Sequence, residues 1–151
     1  MHSTKNNLLV LFEDNHIIIV NKRAGDITQG DKTGDIPLSD VVKDFLKEKY
    51  QKEGNVFLGV VHRLDRPTSG AIIFAKTSKS LERLNKMLRD KKIQKTYWAV
   101  VKNHPEKEKD TLINFLKKNP TKTEFVLVAN LRLFRSFKFW SLPYNVLKGG
   151  G

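Results

Sequence analysis

Val61-His62-Arg63-Leu64-Asp65-Arg66-Pro67-Thr68-Ser69-Gly70 is the stretch on which the reading of this chain turns. It sets one carboxylate, Asp65, between two arginines, Arg63 and Arg66, and closes in a Thr-Ser-Gly turn. The flanking cations make a local positive field, a setting that favours the charged form of a carboxylate. Upstream, Val56 to Val61 reads as a short apolar strand leading into the segment. Downstream, Ala71-Ile72-Ile73-Phe74-Ala75 is apolar on both faces, which predicts a central strand of a sheet. The segment is therefore a loop held between two strands, where a rigid scaffold most often carries chemistry.

Working outward, Leu8 to Phe12 and Ile17 to Asn21 read as strands joined by the turn residues Glu13-Asp14-Asn15-His16. Lys22 to Asp26 reads as a basic loop, and Gln29 to Asp35 as a polar, exposed, Gly-punctuated one. Leu38 to Tyr50 predicts an amphipathic helix with Ser39 as its N-cap and Val41, Val42, Phe45, Leu46 and Tyr50 as its apolar stripe. Thr77 or Ser78 can cap a second helix running to about Asp90, on which Leu81, Leu84, Met87 and Leu88 recur at helical spacing. Lys91 to Lys95 is a basic connector, Thr96 to Val101 a strand, Asn103 to Asp110 a charged loop and Glu124 to Val128 a strand. No repeat or composition shift divides the chain, so residues 1–151 read as one domain. Alternating strands and helices fit α/β or α+β, and periodicity alone does not choose between them.

The chain has 151 residues, with Lys plus Arg 28 against Asp plus Glu 16, a formal net charge of +12. That excess favours a polyanionic partner through counterion release. There is no cysteine, which excludes disulfides, thiolate metal sites and cysteine nucleophiles, and suits a reducing cytoplasm. No apolar run is long enough to span a membrane, and the apolar patch near the N-terminus is too short for a secretory signal. A cytoplasmic protein is expected.

An ionised carboxylate beside arginines that hold phosphate is what a nucleophile acting on RNA needs. A lone Asp in a basic context more often caps a turn or pairs with a neighbouring arginine, and only the surrounding segment raises the catalytic reading. His62 is better read as an orienting residue than as a base or metal ligand, because His2, His16 and His104 offer no ligand spacing with it. Ser69, His62 and Asp65 are the residue types of a hydrolase triad, but they crowd one short loop without a nucleophile elbow. Tyr97 lies in Lys95-Thr96-Tyr97-Trp98-Ala99-Val100-Val101. Strand alternation puts Tyr97 and Ala99 on one face and Thr96, Trp98 and Val100 on the other. Tyr97 is thus either a core aromatic or a platform for a base beside Lys95. The basic stripe Arg132, Arg135 and Lys138 is either a backbone contact or edge-strand protection.

His62 to Gly70 resembles the HRLDRxTSG signature of the RluA-type pseudouridine synthases. Lys95 to Val100 is similar to that family's second motif, KxYxAxV, and Glu13 to Lys22 to its opening segment, with Arg23 where the family usually has proline. The resemblance covers about residues 8–101. It implies an α+β fold with a mixed, mostly antiparallel central sheet flanked by helices. It also implies an RNA pseudouridine synthase acting on uridines of ribosomal or transfer RNA, without cofactor or metal. Asp65 would be the nucleophile, Arg63 would hold the flipped-out nucleotide or fill its place, and Tyr97 would pack on the target base. His62, Arg66 and Lys95 complete the expected RNA-binding set. Nothing resembles the family's third motif, GRxHQIR, whose basic residue pairs with the catalytic carboxylate, and residues 129–144 match the family poorly. The chain therefore reads as a C-terminally truncated or frame-shifted member with an incomplete sheet. The competing expectation is an inactive relative that still binds RNA.

Overall fold

A computed structural model describes residues 2–100 and, beyond them, the backbone of Leu116–Lys118, Phe125–Leu127 and Phe139–Pro143. The predicted loop at 103–110 and the cations of the 131–140 stripe lie outside the described residues. The chain divides into two compact units, Met1–Lys92 and Ile93–Gly151, a division that no composition shift marks in the sequence.

The first unit is an antiparallel sheet with two helices. Its strands are β1 (Val10–Glu13), β2 (Ile17–Lys22), β3 (Gly59–Val60) and β4 (Gly70–Ala75), in the order β1-β2-β4-β3. All three pairings are antiparallel. The doubly apolar strand β4 is central, as its composition predicts. β1 starts two residues later than the sequence reading, with a register irregularity between Val10 and Phe12.

Alternation along β2 buries Ile18, Val20 and Lys22 and leaves Ile17, Ile19 and Asn21 half-buried. In register, Ile18 faces Phe74 and Val20 faces Ile72. Helix α1 (Leu38–Lys49) supplies Leu38, Val42 and Leu46 to the same cluster, so all seven residues form one core. Burying side chains of this size contributes about 1.5–3 kcal/mol each. The expected stripe on α1 holds except at its end. Tyr50 is 46% exposed, and its hydroxyl donates to Glu13 Oε1 at 2.7 Å.

Ser39 is not the N-cap of α1. Pro37 occupies that position without a side-chain cap, and Ser39 is buried inside the first turn. The reason is tertiary. Leu38 N–H donates to Ile27 O at 2.8 Å and Ser39 N–H to Thr28 O at 3.2 Å, so neighbouring backbone satisfies the helix donors. Helix α2 (Ser78–Arg89) follows its sequence rule. Thr77 accepts from Ser80 N–H, and the Ser80 hydroxyl reciprocates to Thr77 N–H in a capping box. Met87, expected on its apolar face, is 40% exposed.

The predicted strand from Val56 shortens to Gly59–Val60. A Cβ on Gly59 would lie 2.7 Å from Leu81 Cδ2, so α2 seats on the bare backbone of β3. In the second unit β5 (Thr96–Val100) pairs antiparallel with β8 (Phe139–Pro143), and β6 (Leu116–Lys118) with β7 (Phe125–Leu127). β7 falls within the predicted 124–128 strand.

Candidate active site

Asp65 sits at the exposed tip of the β3–β4 connection, and the backbone beneath it is tied down on three sides. Thr68 N–H donates to Asp65 O at 3.0 Å, closing the turn. Leu64, just before it, is half-buried against the hydrophobic core. Thr28 Oγ1 donates to Leu64 O at 3.1 Å and lies 3.4 Å from Leu64 N. Gly25 N–H donates to Arg66 O at 2.8 Å, from a φ of +97° that favours glycine.

The strongest tie is Lys22. Its side chain is fully buried, and Nζ donates to Arg66 O at 3.1 Å, Thr68 O at 2.7 Å and Arg23 O at 3.1 Å. Burial pushes the lysine below its usual range, while the charges of Asp26 and Asp65 act to hold its proton. The sequence reading placed Lys22 in a basic loop. The structure makes it the last residue of β2, on the face of Ile18 and Val20. That alternation was the available signal. Extending β2 by one step carries a lysine into the core, and buried lysines are rare unless their donors are used.

The field around Asp65 is not the one its neighbours in sequence predict. Arg66 Nη2 donates to Thr33 Oγ1 at 3.1 Å and pairs with Asp35, which this guanidinium holds below the ordinary carboxylate range. No ion pair among the described residues involves Asp65. The residue is also exposed rather than desolvated. The reason is geometric. Arg66 reaches across to the 31–35 loop, while Lys22, remote in sequence, lies beneath the turn.

His62 is spent on architecture. Its Nε2 accepts from Ile73 N–H at 3.1 Å. β3 ends at Val60, so this imidazole takes over a donor of β4 where the ladder stops. Arg63 is exposed. Asp26, beside the site, is buried and accepts from Ser3 N at 3.1 Å, Ser3 Oγ at 2.6 Å and His2 Nδ1 at 3.2 Å. Burial pushes it up, but the hydrogen bonds of Ser3, His2 and Arg23 N–H outweigh that and lower it. Lys95 and Tyr97 belong to the second unit. On β5, Tyr97 and Ala99 are half-buried while Trp98 is 72% exposed, the alternation expected from the sequence.

The structure thus brings His62, Arg63, Asp65 and Arg66 onto one connection and adds Lys22, Gly25 and Thr28 beneath it. An exposed carboxylate on a turn with immobilised backbone can meet a substrate atom at a fixed place. The chain belongs to the RNA pseudouridylate synthase family, whose sequence profile matches residues 16–137, and to its RluA-type branch. Among relatives, the chain is 40% identical over 127 residues to "Ribosomal large subunit pseudouridine synthase C" of Buchnera aphidicola subsp. Acyrthosiphon pisum (strain APS), across 80% of this chain and 38% of that protein. It is 36% identical over 104 residues to "Uncharacterized RNA pseudouridine synthase YhcT" of Bacillus subtilis (strain 168), across 68% of this chain and 33% of that protein. The chain thus spans about a third of the length of these relatives. The fold matches "Human RNA Pseudouridylate Synthase Domain Containing 1", with a TM-score of 0.64 at 16% identity, over 95% of this chain and 53% of that one. It also matches "Human RNA Pseudouridylate Synthase Domain Containing 4", with a TM-score of 0.60 at 20% identity, over 87% of this chain and 51% of that one.

Proposed function

We propose that this chain carries the catalytic carboxylate of an RNA pseudouridine synthase and isomerises uridines of ribosomal or transfer RNA in the cytoplasm, with Asp65 as nucleophile. One observation carries the reading: Asp65 is exposed, yet its turn is pinned by Lys22, Gly25 and Thr28. Catalysis by a positioned group needs that combination of access and fixed geometry. Family membership supplies the reaction class, and the relatives named for the large ribosomal subunit favour ribosomal RNA among the substrates.

The chemistry asks three things of the chain. The uridine must leave its stack, at a cost of a few kcal/mol that backbone contacts and stacking must offset. Arg63, exposed two residues before Asp65, fills the vacated position or holds a phosphate in this reading. On the family resemblance alone, Tyr97 is the residue that packs on the base and Lys95 a contact for the backbone. Arg66 keeps the 31–35 loop against the catalytic turn, and His62 holds the turn's root to β4. The glycosidic bond is then cut, the base turned, and the bond remade at carbon, with Asp65 engaging the nucleotide.

The test is incubation of the chain with total RNA from cells lacking their own enzyme, followed by chemical mapping of pseudouridine. New pseudouridine at discrete positions is the expected result. Asp65→Asn, a near-isosteric change, is expected to abolish it while leaving RNA binding within about two-fold, as for a group acting only in the chemical step. Isomerisation at the parental rate by that variant would remove Asp65 from the mechanism.

A further inference from the structure

Helix α2 and the turn that ends it carry six cations within fourteen residues: Lys79, Arg83, Lys86, Arg89, Lys91 and Lys92. All six are exposed, and none forms an ion pair or side-chain hydrogen bond with a described residue. Elsewhere in the unit Lys32, Lys47, Lys52 and Arg63 are exposed and also without ion pairs, but they are scattered, and five other cations are paired. Lys5 pairs with Glu48, Lys43 with Asp40, Lys49 and Lys76 with Glu13, and Arg66 with Asp35. Glu82 lies within one turn of Lys79 and Lys86 and pairs with neither.

Three features of α2 run against its own stability. Lys79 stands in a first turn that holds no acidic residue, at the end of the helix where the dipole disfavours a cation. Lys79 to Arg83, Arg83 to Lys86 and Lys86 to Arg89 are like-charge neighbours at helical contact spacing, each mildly destabilising. The helix then ends in a Schellman turn, with Lys91 N–H on Leu88 O at 3.1 Å and Lys92 N–H on Met87 O at 2.8 Å. That turn holds Lys91 at a φ of +55°, a position where glycine or asparagine is at home. A helix that gathers such costs is suited to an anion that the described residues do not themselves supply.

The opposite face fixes the geometry. Ser80 and the half-buried Leu81, Leu84 and Leu88 turn inward, and α2 packs on β3 and β4, the strands joined by the Asp65 connection. Lys79, Arg83, Lys86 and Arg89 recur every three or four residues over about 15 Å of helix, and Lys91 and Lys92 extend the row in the terminal turn, a length that spans several phosphates of a nucleic-acid strand. We infer that the outward face of α2 and its terminal turn form a docking surface for the phosphate backbone of RNA, separate from the residues around Asp65. The inference rests on the proposed function for the class of partner. The contact reads charge and spacing, so it binds without base preference.

The test is fluorescence anisotropy of a labelled RNA hairpin against the full chain, titrated in salt. Arg83→Gln with Lys86→Gln is compared with Lys47→Gln plus Lys52→Gln, exposed lysines without ion pairs on and just after α1 that remove the same charge. The α2 pair is expected to lower the slope of log K against log salt by about 1.5–2 and to weaken binding roughly ten-fold; the α1 pair changes the slope by less than about 0.5. Lys91→Gly is expected to raise the melting temperature while weakening RNA, opposite signs that a merely solvated face would not give. Equal effects of the two pairs, in a parent that binds RNA, overturn the surface and leave the proposed function standing. Polyglutamate competing as well as RNA at equal charge overturns RNA as its partner. A folded parent that binds no RNA overturns both.

Discussion

At the scale of the residue, Lys22 shows how a buried charge can be structural. Its ammonium is surrounded by backbone carbonyls instead of a carboxylate, and two of those carbonyls belong to the Asp65 turn. Lys22→Met keeps the volume and removes the donors, leaving oxygens such as that of Thr68 without their shortest bond. Urea denaturation is expected to show a loss of about 1–3 kcal/mol, with faster amide exchange at Gly25 and Thr68. A variant as stable as the parent would mean that the three bonds are replaced by water at no cost. Glu13 gives the pH dependence. Burial pushes its carboxyl up, but hydrogen bonds from Lys49, Lys76 and Tyr50 dominate and lower it to about 2, from an ordinary value of 4.5. A depressed folded pKa means stability that is fully present above the unfolded value and is lost as pH falls from about 4.5 toward 2. Glu13→Gln should flatten the acid limb of a stability-against-pH curve in that window, by at most about 3 kcal/mol. An unchanged limb would show that the cluster does not hold the charged form.

At the scale of the element, the two helices start by different means, and the difference is measurable. α2 depends on its own capping box, so Thr77→Ala is expected to cost about 1 kcal/mol in the midpoint of denaturation. α1 borrows the carbonyls of Ile27 and Thr28, so Ser39→Ala removes no cap and stays within about 0.5 kcal/mol. Equal losses for the two would contradict the assignment of caps. β3 is short for a related reason: the His62 ring accepts from Ile73 N–H where a further strand residue would have. Its Gly59 is fixed by α2, since any Cβ meets the Leu81 methyls. Gly59→Val is expected to destabilise by about 1–3 kcal/mol through overpacking. Because Leu81 is the first large apolar residue of α2, that loss should appear as early exchange of the amides of this helix.

At the scale of the whole molecule, the charge of +12 is the dominant property. Among the described residues of the first unit five cations pair with carboxylates, and the exposed ones without ion pairs include the six of α2 and its turn together with Lys32, Lys47, Lys52 and Arg63. Binding of RNA by the chain should therefore fall steeply between low and physiological salt, with a log–log slope of several units. A slope near zero, measured on a folded sample, would count against a phosphate-dominated contact.

From sequence alone came the family and, through that resemblance, the α+β class, together with the central place of β4, both helices and the loop position of Asp65. Each of these is written in local patterns: a motif of contiguous residues, a period, a turn. The three-dimensional structure decided what surrounds the carboxylate. Arg66, adjacent in sequence, turns to Asp35, while Lys22, Gly25 and Thr28 arrive from the end of the neighbouring strand β2 and the loop after it. It also decided the cap of α1, the end of β3 and the role of His62, because each depends on a hydrogen bond between segments ten or more residues apart. Local patterns report which groups a residue can offer. Only packing reports which partner is within about 3 Å to accept them.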